Sequence, residues 1–255
     1  MYYYIFDIKK CKKRSQVEAI KSQLIELGIS GEYTYISSAQ SAEELALLGL
    51  RRGYSTIIVA GSDDSINAVA NVMIGQKEAM GVIPLQASKA ICHLVGTSSV
   101  TEAIESLRFR RINEITTGKT ATGKHFLTYL EMDLSSPMEF TVEFKNFIVQ
   151  ASVNNMIISN YHPEIKKIAD DHLDTVIESH SPNHSGFFNQ IKNLFGKNKE
   201  DDDKHLSIFR SRSLRIFTKR PISIKSGNAI IAKTPQLIET SEQTLRIIVT
   251  KGKGG

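Results

Sequence analysis

Hydrophobic positions in the first 110 residues switch between two rhythms. Tyr2–Phe6 is a short apolar strand. Ser15 and Glu18 then have the spacing of a capping box, and Val17, Ile20, Leu24 and Leu27 recur at helical intervals until Gly28. Glu32–Ile36 alternates as a strand does. Ser41 and Glu44 open a second capping box, with Leu45 and Leu48 behind it and Gly53 closing it. Ser55–Ala60 is a strand with no polar face, which fits a sheet covered on both sides. Ile66–Ile74 is helical, Met80–Pro84 is another buried strand, and Ser99 and Glu102 cap a helix carrying Ile104 and Leu107. This β-α-β-α order predicts a parallel sheet with helices on both faces.

The rhythm changes at Arg111. Short strands separated by turn residues follow: Ile112–Thr117, His125–Leu130, Glu139–Phe147, Gln150–Ile158, Leu173–Glu178, Ser207–Arg210, Ser213–Thr218, Ile222–Lys225, Ala229–Ala232 and Thr244–Thr250. They predict an antiparallel sandwich or barrel, of which the sandwich is the expected form. The expected organisation is an α/β domain over residues 1–110, a β-sandwich over 111–250 and a disordered tail over 251–255. Residues 186–196 carry Phe187, Phe188, Ile191, Leu194 and Phe195, which suit either a membrane surface or the sandwich core.

Composition adds little to this picture. The chain has 255 residues, 41% hydrophobic and 23% charged, with a net charge of +5. No apolar run approaches the ~20 residues of a membrane span. Two cysteines, Cys11 and Cys92, fit a reducing compartment, so a cytoplasmic location is expected. Basic residues cluster at Lys9–Arg14, Arg108–Arg111 and Arg210–Arg220. No recognition motif accompanies them, so nucleic acid is not an expected partner. Anionic lipid, such as a membrane surface, or phosphate is an equally cheap explanation, and a solvated surface is the simplest of the three. A homodimer is left open.

Candidate chemistry gathers at one strand tip. In "IIVAGSDDSINAVAN" a buried strand stops at Gly61, and Asp63 and Asp64 stand where a helix begins. Ligands in open α/β sheets bind at the carboxyl ends of strands. A turn leading into a helix N-terminus points backbone N–H groups and the positive end of the dipole at one spot, which suits phosphate. A carboxylate there can hold magnesium. The plainer alternative is that Asp64 caps a helix starting at Ser65.

The wider sequence resembles the diacylglycerol kinase catalytic-domain family, bacterial lipid kinases with a fold like that of sphingosine kinase and NAD kinase. The family pattern G-G-D-G-T followed by I/L-N-E-V-x-N-G is matched by Gly61, Ser62, Asp63, Asp64, Ser65, then Ile66, Asn67, Ala68, Val69, Ala70, Asn71. Its P-x-G-T-x-N-D falls on Pro84, Leu85, Gln86, Ala87, Ser88, Lys89, Ala90. "IADDHLDTVIES" resembles D-D-G-x-L-D-V-V, and Ser226, Gly227, Asn228 fall on the family's D-G-E. The resemblance implies an ATP site on Gly61, Ser62, Asp63, Asp64, Ser65, Asn67 and Pro84. It also implies a magnesium site at Asp171 and Asp174, with His172 in place of a glycine.

The departures are as informative as the matches. Ser62 and Asp64 replace two phosphate-loop glycines. Gln86–Ala90 lacks the second loop's glycine, threonine, asparagine and aspartate. Ser226 stands where the base that deprotonates the acceptor hydroxyl is expected, and a neutral serine cannot take that proton at pH 7. The leading expectation is a lipid-kinase-family protein with an impaired site that binds nucleotide or lipid. The alternatives are an active ATP-dependent lipid kinase with a rebuilt site using Asp171 or Asp174, and an interaction protein that keeps the scaffold alone.

Overall fold

A computed structural model describes residues 1–10, 14–161, 171–180 and 204–250. Cys11, Asp170, the Phe-rich stretch 186–196 and the 251–255 tail lie outside them. The chain runs β1 (Tyr2–Phe6), α1 (Arg14–Glu26), β2 (Glu32–Tyr35), α2 (Ala42–Arg51), β3 (Thr56–Gly61), α3 (Asp63–Met73), β4 (Ala79–Pro84), α4 (Lys89–Val95) and α5 (Val100–Phe109). Strands follow: β5 (Ile112–Thr120), β6 (His125–Phe126), β7 (Tyr129–Phe144), β8 (Ile148–Ser159), β9 (Leu173–His180), β10 (Lys204–Ser211), β11 (Ser213–Thr218), β12 (Ser223–Ser226), β13 (Ala229–Lys233) and β14 (Gln236–Ile248).

By contact the chain forms two compact units. The first holds Met1–Thr117 and the chain from Ser241 onward, and the second holds Gly118–Thr240. The chain therefore crosses between them twice, within β5 and within β14. The sequence rhythm sets the change near residue 110 and gives residues 111–250 to the sandwich. The closing strand "TLRIIVT" instead contributes Ile247 opposite Met80, in parallel with β4.

In the first unit, β2, β1, β3, β4 and the end of β14 lie side by side and parallel. Every residue of β3 and β4 is buried, which is why neither strand has a polar face. One face packs Tyr4, Phe6, Ile58 and Ile83 against Val17, Ile20 and Leu24 of α1 and Ile104 and Leu107 of α5. α2 lies against Tyr3 and Ile57 so closely that a Cβ on Gly49 would come within 2.7 Å of both side chains.

One of the two expected capping boxes closes, and Ser99 caps its helix as expected. Ser41 and Glu44 make both halves, at 3.2 and 2.8 Å. Ser99 Oγ accepts from the Glu102 amide, but the Glu102 carboxylate takes the Ser98 amide and hydroxyl instead. Ser15 lies inside α1, which already includes Arg14, and Glu18 pairs with Lys21.

In the second unit the antiparallel order is β10, β9, β8, β7, β11 and the start of β14. Its core holds Phe126, Leu130, Met132, Phe140, Met156, Ile177 and Ile216. The strands expected at His125–Leu130 and Glu139–Phe147 are in fact β6 and one 16-residue strand, β7. Its ladder to β8 slips between Asp133 and Met138, around Pro137, which has no N–H to give.

Candidate functional site

Strand order β2-β1-β3-β4 has a reversal between β1 and β3, because β1 connects outward to β2 and the chain returns to β1's other side as β3. A crevice at such a switch point is where open α/β sheets place ligands. The Asp7 amide donates to Ala60 O at 2.8 Å and the Leu85 amide to Gly61 O at 2.8 Å, so pairing continues to the strand tips. Pro84 ends β4 directly opposite Gly61.

Gly61 is fixed by space. A Cβ there would lie 2.1 Å from Ser65 Oγ and 3.2 Å from the Asp7 Cβ. Ser65 Oγ in turn donates to Ser62 O at 3.0 Å, folding the first turn of α3 back onto the strand tip. The helix begins at Asp63, so Ser62 is its N-cap residue and Asp64 lies inside the first turn. Asp64 is therefore not the cap that a start at Ser65 would have made it. Ser62 has the extended backbone of a cap, yet its side chain makes no capping bond. Its hydroxyl is buried with no hydrogen-bond partner, in a residue only 7% exposed. Asp64 Oδ1 is likewise buried without a partner. Two unsatisfied oxygens thus stand beside the free N–H groups of an 11-residue helix.

Asp63 is occupied. Its Oδ1 accepts from the Ser88 amide at 2.7 Å, joining the turn after β3 to the loop after β4. Its charge and burial together push the Cys92 thiol up, burial contributing more. Asn67 O accepts from the Asn71 side chain at 2.8 Å, on the helix surface one turn further along.

The loop after β4 holds an element that the apolar pattern passed over. α4 is bracketed by Ser88, whose Oγ accepts from the Ile91 amide, and by Gly96 in the left-handed conformation. Ala90, Ile91, Leu94 and Val95 are its buried residues. A serine and a glycine flanking that spacing were the available signal.

With this geometry in view, the diacylglycerol kinase catalytic domain family matches residues 8–120. Residues 8–120 belong to that family. Two structures from Bacillus anthracis str. Sterne, both assigned provisionally as diacylglycerol kinases, superpose with TM-scores of 0.79 and 0.78. Each is 14% identical, and the alignments cover 98% of this chain and 97% of theirs. A diacylglycerol kinase structure from the same organism gives 0.76 at 15% identity, covering 98% of this chain and 96% of that one. At these identities the likeness concerns the fold, and it extends over both units. No curated protein matches the chain.

Set beside the diacylglycerol kinase pattern, Gln86 occupies a glycine position and keeps a glycine-like backbone, with φ at 56°. Ala87, Lys89 and Ala90 stand where that pattern has threonine, asparagine and aspartate. The remaining candidate positions lie beyond the matched residues. Gly227, at φ 61°, forms the turn of the hairpin that pairs Ser226 with Ala229. Ser226 is buried and Asn228 exposed. Asp174 is buried and receives Arg210 Nε at 2.8 Å, a contact that raises the Arg210 pKa further. Asp171 pairs with Arg212. Among the described residues no group of three His, Cys, Asp or Glu side chains is arranged to hold a metal, and no helix is long and apolar enough to cross a membrane.

Proposed function

We propose that this diacylglycerol-kinase-family chain binds a nucleotide at the first turn of α3 and transfers phosphoryl groups to lipid hydroxyls slowly or not at all. The binding half rests on the Ser62 hydroxyl, buried and unpartnered beside an uncapped helix N-terminus. Phosphate oxygens fit that position, since they accept from both the hydroxyl and the N–H groups. Asp64 does not fit a bare phosphate. It fits one that carries magnesium, because the ion would neutralise the facing charges and use the free carboxylate oxygen as a ligand.

The impaired half rests on residue chemistry. Lys89 and Ala90 fall where the pattern has asparagine and aspartate, and Ser226 where it has the base. Loss of a general base typically costs 10²–10⁴-fold, and loss of positioning adds to that. The lipid acceptor is inferred from the family alone.

Calorimetric titration with ADP and magnesium tests the first half, with saturable binding expected. Absence of binding overturns it. A radiolabelled phosphate-transfer assay on diacylglycerol tests the second, with rates far below the ~1 s⁻¹ of ordinary enzymes expected. The variant carrying Ser226→Asp and Asn228→Glu is expected to remain inactive, because Gln86–Ala90 is unchanged. Robust transfer by the unaltered protein overturns this half and favours an active kinase.

A further inference from the structure

The magnesium site implied at Asp171 and Asp174 meets side chains that do not fit a metal ion. Asp174 is 3% exposed, and both of its oxygens are taken by one guanidinium: Oδ1 by Arg210 Nε at 2.8 Å and Oδ2 by Nη2 at 3.3 Å. This is the two-pronged arrangement in which arginine binds a carboxylate most tightly. Asp171 Oδ2 accepts from Arg212 Nη2, and its Oδ1 lies 2.6 Å from His172 Nδ1. Each of the four carboxylate oxygens therefore faces a nitrogen of Arg210, Arg212 or His172.

A hard divalent ion needs about six oxygen ligands. Here it would have to displace two arginines and then sit beside their charges. The strand register makes the arrangement systematic. Asp174 on β9 stands directly opposite Arg210 on β10, and Ser159 of β8 lies on its other side. Asp171, just before β9, sits at φ 110°, a conformation that a residue other than glycine keeps only when its contacts hold it there.

We infer that Arg210 and Arg212 are built-in cations that take the place of a divalent ion at the start of β9, so that this corner of the second unit is held without metal. Arg210 neutralises a carboxylate that is otherwise buried, and Arg212 fixes the turn that leads into it.

The inference is independent of the nucleotide reading, and its test uses no nucleotide. Thermal unfolding of the full chain is measured in EDTA and in millimolar magnesium, and manganese binding is followed by electron paramagnetic resonance. The two melting temperatures are expected to agree to within about 1 °C, with no saturable manganese binding. Arg210→Met is expected to melt several degrees lower in either solution, because it leaves the buried Asp174 carboxylate without its partner. Saturable manganese binding by the unaltered protein that is lost in Asp174→Asn overturns the inference. So does an Arg210→Met variant that melts with the unaltered protein. If that variant does not fold, the titration of the unaltered protein and its Asp174→Asn control decides the matter.

Discussion

Asp63 Oδ1 and the Ser88 amide, 25 residues apart in the chain, meet at 2.7 Å and join the two loops at the carboxyl ends of β3 and β4. The aspartate that survives from the family pattern therefore has a structural task as well as a place beside the candidate phosphate site. Asp63→Ala leaves a part-buried amide without its acceptor and should lower stability by about 1–3 kcal/mol. Asp63→Asn keeps an acceptor and should lose less. Urea denaturation of the two variants checks the order; equal losses would mean that the carbonyl-type oxygen is not what matters.

Gly61 and Ser65 are coupled through space. Gly61→Ala should destabilise by about 1–3 kcal/mol through overpacking. Adding Ser65→Ala removes the hydroxyl that the new methyl meets, so the double variant should recover part of the loss. A double-mutant cycle measures this, and simple additivity would count against the steric account.

Gln86 tests how much the second loop depends on its backbone. Asparagine tolerates the left-handed region better than glutamine, so Gln86→Asn should raise stability by up to ~1 kcal/mol. Gln86→Val should lower it by about 1–3 kcal/mol, since a β-branched residue resists that conformation. Denaturation midpoints should fall in the order Asn, Gln, Val.

Asp64 should set the metal dependence of nucleotide binding. With Asp64→Gly, ADP should bind at least tenfold more tightly in EDTA, because one repulsive charge is gone. The gain should shrink when magnesium is present. Calorimetry with and without the ion checks both, and unchanged affinity in EDTA contradicts the repulsion argument.

His125 provides a pH signature. Burial, aided by the Lys119 charge, holds its pKa below the ordinary 6.5. The unfolded chain therefore takes up a proton at a higher pH than the folded one does. The neutral form's contribution to stability is full above ~6.5 and is lost as pH falls toward the folded pKa. His125→Gln should flatten that part of the curve. Denaturation between about pH 7 and 5 compares the two, and parallel curves would exclude the effect.

Much of the first unit could be read from the chain because local and global preferences agree. β3 and β4 are buried throughout, and Ser41 with Glu44 marks a helix start that does form. The loop glycine and aspartates were legible as a strand tip. The true start of α3 was not, since Asp63 and Asp64 read as turn residues until Ser62 is seen at the cap. Cross-strand relations were the least accessible. Nothing in a single sequence sets Asp174 opposite Arg210, 36 residues away, or returns Ile247 to Met80. Those pairings depend on register, which the period-two rhythm leaves free.

The return of β14 to β4 also bears on the order of events during synthesis. The unit that includes β1 cannot be finished until β14 has emerged. All of Gly118–Thr240 is made in between, which takes on the order of 10 s at ordinary translation rates. Through that interval β4 offers a bare edge of apolar backbone, so the nascent protein is open to mispairing at a strand that the finished one buries throughout.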